Sequence, residues 1–192
     1  LMFSTLKEVT DYFKVGDFVK VLEIGNNFLE RFGEDLNVQY LLGVAYSRIG
    51  SDIQAIKHFK KIAEEKPLDS NNFYNLGNSY LNICHYKQAV ISLKRATELE
   101  PDNIPYTYSL ALALKRLEDY QGSLEAFEKI LRIEKHFVKA YFEIGKILSL
   151  LGNPYVAIEK FNQALMLDSK HAFSYYEKAK CQRIVGGNLA ER

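Results

Sequence analysis

The chain has 192 residues, enough for one or two domains, and a chain of this size buries roughly 70% of the surface it exposes when unfolded. Its 25 basic and 24 acidic residues leave a net charge of +1, which excludes the basic excess that phosphate binding demands and argues against a nucleic-acid partner. Only 4 prolines and 11 glycines occur, too few for a long disordered or collagen-like segment, and no apolar run approaches the roughly 20 residues needed to span a bilayer.

A period of 34 residues organises the rest. Gly16, Gly50, Gly152 and Gly186 share one register, with Cys84 and Glu118 in the two intermediate slots. Four further tracks run in step: Gly43, Gly77, Ala111, Gly145 and Ala179; Val21, Ala55, Ala89, Ser123 and Ala157; Gly25, Phe59, Leu93, Phe127 and Phe161; and Tyr12, Tyr46, Tyr80, Leu114 and Leu148. No insertion interrupts them, so the whole chain, 1–192, reads as a single array.

In chain order, residues 2–35 form a degenerate first repeat. Tyr12, Gly16, Val21 and Phe28 fit the pattern, while Glu8 and Gly25 break it. Residues 36–69 follow Asp35, a predicted N-cap, and close near Pro67, because proline cannot continue a helix. Residues 70–103 follow Asp69. Here Phe73, Leu76, Tyr80 and Leu81 recur at three- and four-residue spacing with Gly77 on the same face, a helical pattern ending before Pro101. Residues 104–137 follow Asp102, again a predicted N-cap, and Tyr120, Leu124, Phe127, Ile130 and Leu131 mark the second helix. Residues 138–171 repeat the scheme. A partial sixth repeat, 172–192, begins at Ala172 and is predicted to stop after a turn at Gly186-Gly187-Asn188. Leu189-Ala190-Glu191-Arg192 is too short for a capping helix, so the array is expected to continue in a longer chain or to be covered by a partner or a second copy.

Each repeat is therefore helix A, a tight turn, helix B and a short link. The small residues of the Gly43 track let helix A approach a neighbouring helix closely, the Ala55 track does the same for helix B, and Phe59, Phe127 and Phe161 fill the space between. One hairpin cannot bury both of its faces, so stacking supplies the core.

These residues resemble the tetratricopeptide-repeat family. Its pattern of an aromatic, Leu-Gly, Tyr, Ala, Phe, Ala and Pro is matched nearly throughout by Phe73, Leu76, Gly77, Tyr80, Ala89, Ala96 and Pro101, with Leu93 in the place of the Phe. Leu42, Gly43, Tyr46, Ala55, Phe59 and Pro67 match it in the second repeat, and Tyr141, Ile144, Gly145, Ala157, Phe161 and Ala164 in the fifth. The resemblance implies an all-α fold, a right-handed α-solenoid of stacked antiparallel helix pairs. It also implies that helix A lines an inner, concave face that holds a peptide or a partner helix.

No catalytic constellation is present, so the chain is not expected to be an enzyme, and no cofactor or metal is expected. His58, His85, His136 and His171 form no HExxH motif and pair with no cysteine at ligand spacing. Cys84 and Cys181 are expected to be free thiols of a reducing compartment, hence a cytoplasmic protein.

The fifth residue of each repeat gives a ladder of Leu6, Tyr40, Tyr74, Tyr108, Phe142 and Tyr176. Aromatics suit binding surfaces because they give large contact area at low entropic cost, and the same rings can equally pack between adjacent A helices. Asn71, Asn75, Asn78 and Asn82 cluster on the same face of the third repeat, where amides can bond an extended backbone; for Asn71 a capping or solvated role is favoured. Lys115, Lys139, Lys146, Lys180 and Arg183 would make a basic end suited to an acidic partner, blunted by Glu143 and Glu177.

The resemblance also bears on the kind of guest. The chaperone-binding carboxylate clamp is matched only at Asn78 and Lys139, with Tyr74, Ser109 and Glu143 at its other three places, so that guest is not expected. The expected groove is thus Tyr40, Tyr74, Asn75, Asn78, Tyr108, Lys115, Lys139, Phe142, Lys146, Tyr176 and Lys180, and the expected function is a protein-interaction scaffold. Two alternatives are a substrate-recruiting or regulatory array of a larger enzyme, such as a glycosyltransferase, and a scaffold that self-assembles into a homo-oligomer through its terminal repeats.

Overall fold

The computed structural model describes residues 2–190, with side chains over residues 2–186. The described residues form helices only. They are α1 (Met2–Val15), α2 (Phe18–Phe32), α3 (Leu36–Arg48), α4 (Asp52–Glu65), α5 (Ser70–Asn82), α6 (Tyr86–Leu99), α7 (Ile104–Arg116), α8 (Tyr120–Ile133), α9 (Val138–Leu150), α10 (Pro154–Leu167) and α11 (Ala172–Ala190). The helices fall into two compact units, Leu1–Pro101 and Asp102–Arg192. In the first, three hairpins stack in sequence, and the A helices also touch side by side, α1 against α3 and α3 against α5. In the second, the hairpins α7–α8 and α9–α10 stack, and α11 packs on α10 and α9.

The 34-residue tracks correspond to physical tasks. Gly16, Gly50 and Gly152 turn the chain at φ of 78°, 79° and 76°, and Cys84 and Glu118 hold the same left-handed conformation at 60° and 65°. The next residue then donates its N–H back across the turn: Asp17 to the Tyr12 carbonyl at 3.0 Å, Ser51 to Tyr46 at 2.8 Å, and His85, Asp119 and Asn153 to Tyr80, Leu114 and Leu148 at 2.9 Å each. The acceptors are the five members of the Tyr12 track. This bond satisfies a carbonyl that the end of helix A would otherwise leave unpaired.

The Gly43 track is a contact surface within each hairpin. A Cβ added at Gly43, Gly77 or Gly145 would stand 2.6, 2.5 or 2.6 Å from Phe59, Leu93 or Phe161, too near for any side chain. Phe59, Phe127 and Phe161 are almost wholly buried, and each such ring contributes about 1.5–3 kcal/mol by leaving water. Where the Ala55 track carries a serine, Ser123 donates its hydroxyl to the Ala111 carbonyl at 2.8 Å, so the buried oxygen is satisfied. In the first repeat Gly25 stands where the other repeats carry a large residue, and a Cβ there would lie 2.8 Å from Leu42 of the next helix, which occupies the space.

Asp35 and Asp69 cap α3 and α5 as expected. The expectation at Asp102 is corrected: Asn103 caps α7, accepting from the Tyr106 N–H at 3.3 Å. Pro105 in the first turn fixes where the helix starts, and the residue three before Tyr106 is then the one whose side chain reaches an unpaired N–H. Asp17 and Asp119 cap the B helices α2 and α8 in the same way. The turn expected at Gly186 does not form either, because α11 continues through it to Ala190. A glycine inside a helix costs only about 1 kcal/mol, so Gly186 does not by itself end α11. The side chains of Leu189 to Arg192 lie outside the described residues.

Candidate functional site

In the N-terminal unit the side-by-side A helices enclose a cleft of about 430 Å³ between α3 and α5. Val44, Ser47 and Arg48 form its α3 wall, Tyr74, Asn75, Asn78 and Asn82 its α5 wall, and Phe59 of α4 reaches its floor. Tyr40 sits one turn before Val44, its ring tilted against Phe59 at 6.3 Å between centroids. Its hydroxyl accepts from Asn71 Nδ2 at 2.7 Å and from Asn75 Nδ2 at 3.3 Å. Asp69 caps α5, and Asn71, exposed as its solvated reading has it, also cross-braces two A helices. Asn82 is committed too, donating to Asp52 Oδ2 at 3.1 Å, while Ser47 donates to Asp52 Oδ1 at 3.1 Å. Asn78 lines the cleft and makes no hydrogen bond among the described residues, so both the N–H and the carbonyl of its amide are unspent.

The structure thus brings Tyr74, Asn75 and Asn78 together, with Tyr40 tied to them. It adds Val44, Ser47 and Arg48, which the asparagine cluster alone did not indicate. Their spacing from Tyr40, four, seven and eight residues, is the helical stripe that would have found them.

The C-terminal unit arranges its groups differently. The Tyr108 ring meets Phe127 and Phe137 edge-on, each at 5.7 Å. Burial, and then the nearby Glu143 charge, push its phenol up to about 12, so it remains a hydrogen-bond donor through the physiological range. Lys115 is ion-paired to Glu143, with side-chain exposures of 13% and 11%; its charge is spent on that carboxylate rather than offered to a guest. Phe142 is enclosed by Phe161, His171 and Phe173 at 6.1, 5.1 and 6.3 Å, with the Lys146 ammonium over its ring at 5.3 Å. Lys180 lies over Tyr176 at 5.4 Å and pairs with Glu177 at 2.9 Å. Tyr176 is largely exposed, and Lys139 is exposed near the start of α9. Lys115 and Lys146 share a cleft of about 310 Å³ with Arg116, whereas Lys139 and Lys180 lie outside it.

Among the described residues, no group of histidine, cysteine, aspartate and glutamate could hold a metal ion, and no helix is long and apolar enough to cross a membrane.

No curated protein sequence matches the chain. Among solved structures, a crystal structure of MamA is 26% identical over 85% of this chain and 96% of that chain, with a TM-score of 0.79. MamA from Desulfovibrio magneticus RS-1 is 20% identical, covering 89% and 97%, at a TM-score of 0.83. YrrB, described as a tetratricopeptide-repeat protein with an unusual peptide-binding site, is 18% identical, covering 91% and 90%, at 0.83. The latter two likenesses show the fold alone. The profile of the tetratricopeptide repeat matches residues 70–103, 105–137 and 138–171, more than half of the chain and in the register of the turn and packing tracks, and the chain belongs to the tetratricopeptide-repeat family.

Proposed function

We propose that the chain is a protein-interaction scaffold without catalysis of its own, working in the cytoplasm as one continuous array from residue 1 to 192. Its A-helix face holds an extended segment or helix of a partner protein. One observation carries this reading. Asn78 presents an unspent amide in the α3–α5 cleft, beside a Tyr40 hydroxyl already fixed by two other amides. Such a group can bond a guest backbone through both its N–H and its carbonyl, and the neighbouring Tyr40, Asn71 and Asn75 already hold one another in place, so little ordering is needed on binding. YrrB, with its peptide-binding site, lends support by fold. In the C-terminal unit, Lys139 and Lys146 favour acidic residues on a guest.

The test is capture of partner proteins on the full chain, followed by competition with a Tyr74→Ala/Asn78→Ala/Tyr108→Ala variant whose far-UV circular dichroism is unchanged. Loss of at least about tenfold in affinity, roughly 1.4 kcal/mol, is expected. Equal affinity would remove the guest from this face.

A further inference from the structure

A second cleft of the N-terminal unit, about 630 Å³, opens between the B helices α4 and α6 and shares no lining residue with the A-helix cleft. Ile53, Ile56 and Ile83 with the Tyr80 ring make it apolar, and Lys57 and Lys60 border it. Ile53 is 65% exposed, and Ile91 on the same face of α6 is 70% exposed. Single exposed aliphatics are ordinary on a protein surface; here Ile53 lines a concavity.

The charge around this cleft is one-sided. No carboxylate lines it, and neither Lys57 nor Lys60 forms an ion pair among the described residues, although Lys61 next to them pairs with Glu34. The equivalent positions one repeat earlier provide an internal comparison. Val19 and Leu22 keep the aliphatic character, but Glu23 and Asn26 replace the two lysines. Both replacements are satisfied locally: Glu23 takes Lys20 at 2.8 Å, and Asn26 donates to the Leu22 carbonyl at 2.7 Å and the Tyr46 hydroxyl at 3.2 Å. The repeat therefore does not require cations at these places, and the α4–α6 cleft leaves two of them unanswered beside an apolar floor.

We propose that the α4–α6 cleft docks an acidic segment of a partner protein, whose aliphatic side chains enter between Ile53, Ile56 and Ile83 while its carboxylates meet Lys57 and Lys60. This is a surface separate from the proposed A-helix guest site. Exposed cations of this kind steer encounter and set the sign of the guest, while the aliphatic contact gives the residence time. Binding accordingly weakens as salt screens the pair over a Debye length of about 10 Å at 0.1 M.

A display library of short random peptides, selected on the full chain, tests this. The expected result is a class of peptides rich in Asp and Glu interspersed with Leu, Ile or Val. These peptides lose about tenfold or more in affinity on an Ile53→Ser/Lys57→Glu/Lys60→Glu variant, bind less tightly in high salt, and keep full affinity for Asn78→Ala. Lys57→Glu/Lys60→Glu alone, at two exposed positions that leave the fold intact, produces most of the salt-dependent part of the loss. The proposal is overturned if no selected class distinguishes the triple variant from the parent. It is also overturned if the distinguishing peptides are neutral or basic, or if their binding is lost in Asn78→Ala. Concentration-dependent self-association abolished by the same substitutions would give the cleft to a second copy and overturn it as well.

Discussion

Cys84 and Glu118 adopt φ of 60° and 65° where three other repeats place glycine. A side chain in this region costs about 1–2 kcal/mol, and glycine gives back about 0.4–1 kcal/mol through the unfolded chain. Cys84→Gly and Glu118→Gly should each therefore raise stability by about 0.5–1 kcal/mol in urea unfolding, whereas Gly50→Ala should lower it. Register places both residues in the turn slot, but only a glycine announces a positive φ, so the geometry at these two had to be seen. Tyr108 supplies a second test at this scale. Its phenol is raised from 10.0 to about 12, so folding favours the protonated form. That contribution is fully present below pH 10 and is lost as the pH climbs from 10 toward 12. Tyrosinate absorbance should show one late-titrating phenol that disappears in Tyr108→Phe, and the variant should lose less stability than the parent over that interval.

Among the elements, α7 and α9 are joined by the Lys115–Glu143 pair. Removing one partner strands a mostly buried charge, so Lys115→Met is expected to cost about 3 kcal/mol, while Lys115→Met/Glu143→Leu returns near the parent. A double-mutant cycle of thermal midpoints would measure the coupling. The sequence named Lys115 as a groove cation and noted Glu143 nearby. It could not show that they meet, because they come from different repeats and pairing depends on how adjacent A helices align. Helix starts were legible at Asp35 and Asp69, where aspartate directly precedes the helix. At Asp102 two polar residues compete, and Pro105 decides for Asn103. The tight contact of Gly77 with Leu93 implies that Gly77→Ala overpacks α5 against α6 and destabilises by about 1–3 kcal/mol.

For the whole molecule, the unbroken 34-residue period made the fold readable, since through the first five repeats its tracks are turns, bond acceptors or packing contacts, and only the sixth departs, where α11 runs on through Gly186. The proposed guest surface was less legible. Its asparagines could be seen in sequence, but which amides are already spent depends on partners some 30 residues away. A repeat array is stabilised mainly by contacts between neighbours, so local damage should stay local. Phe127→Ala should cost about 3–5 kcal/mol, and hydrogen exchange should quicken first in α7, α8 and α9, whose side chains share its cluster.

The two amides that converge on Tyr40 have one further effect. Both donate to its oxygen, which fills the lone pairs and leaves the phenolic hydrogen as the only thing the group can give. A side chain able in principle to play either part is thereby made a directional proton donor, and a visitor offering a carbonyl would be favoured there over one offering an N–H.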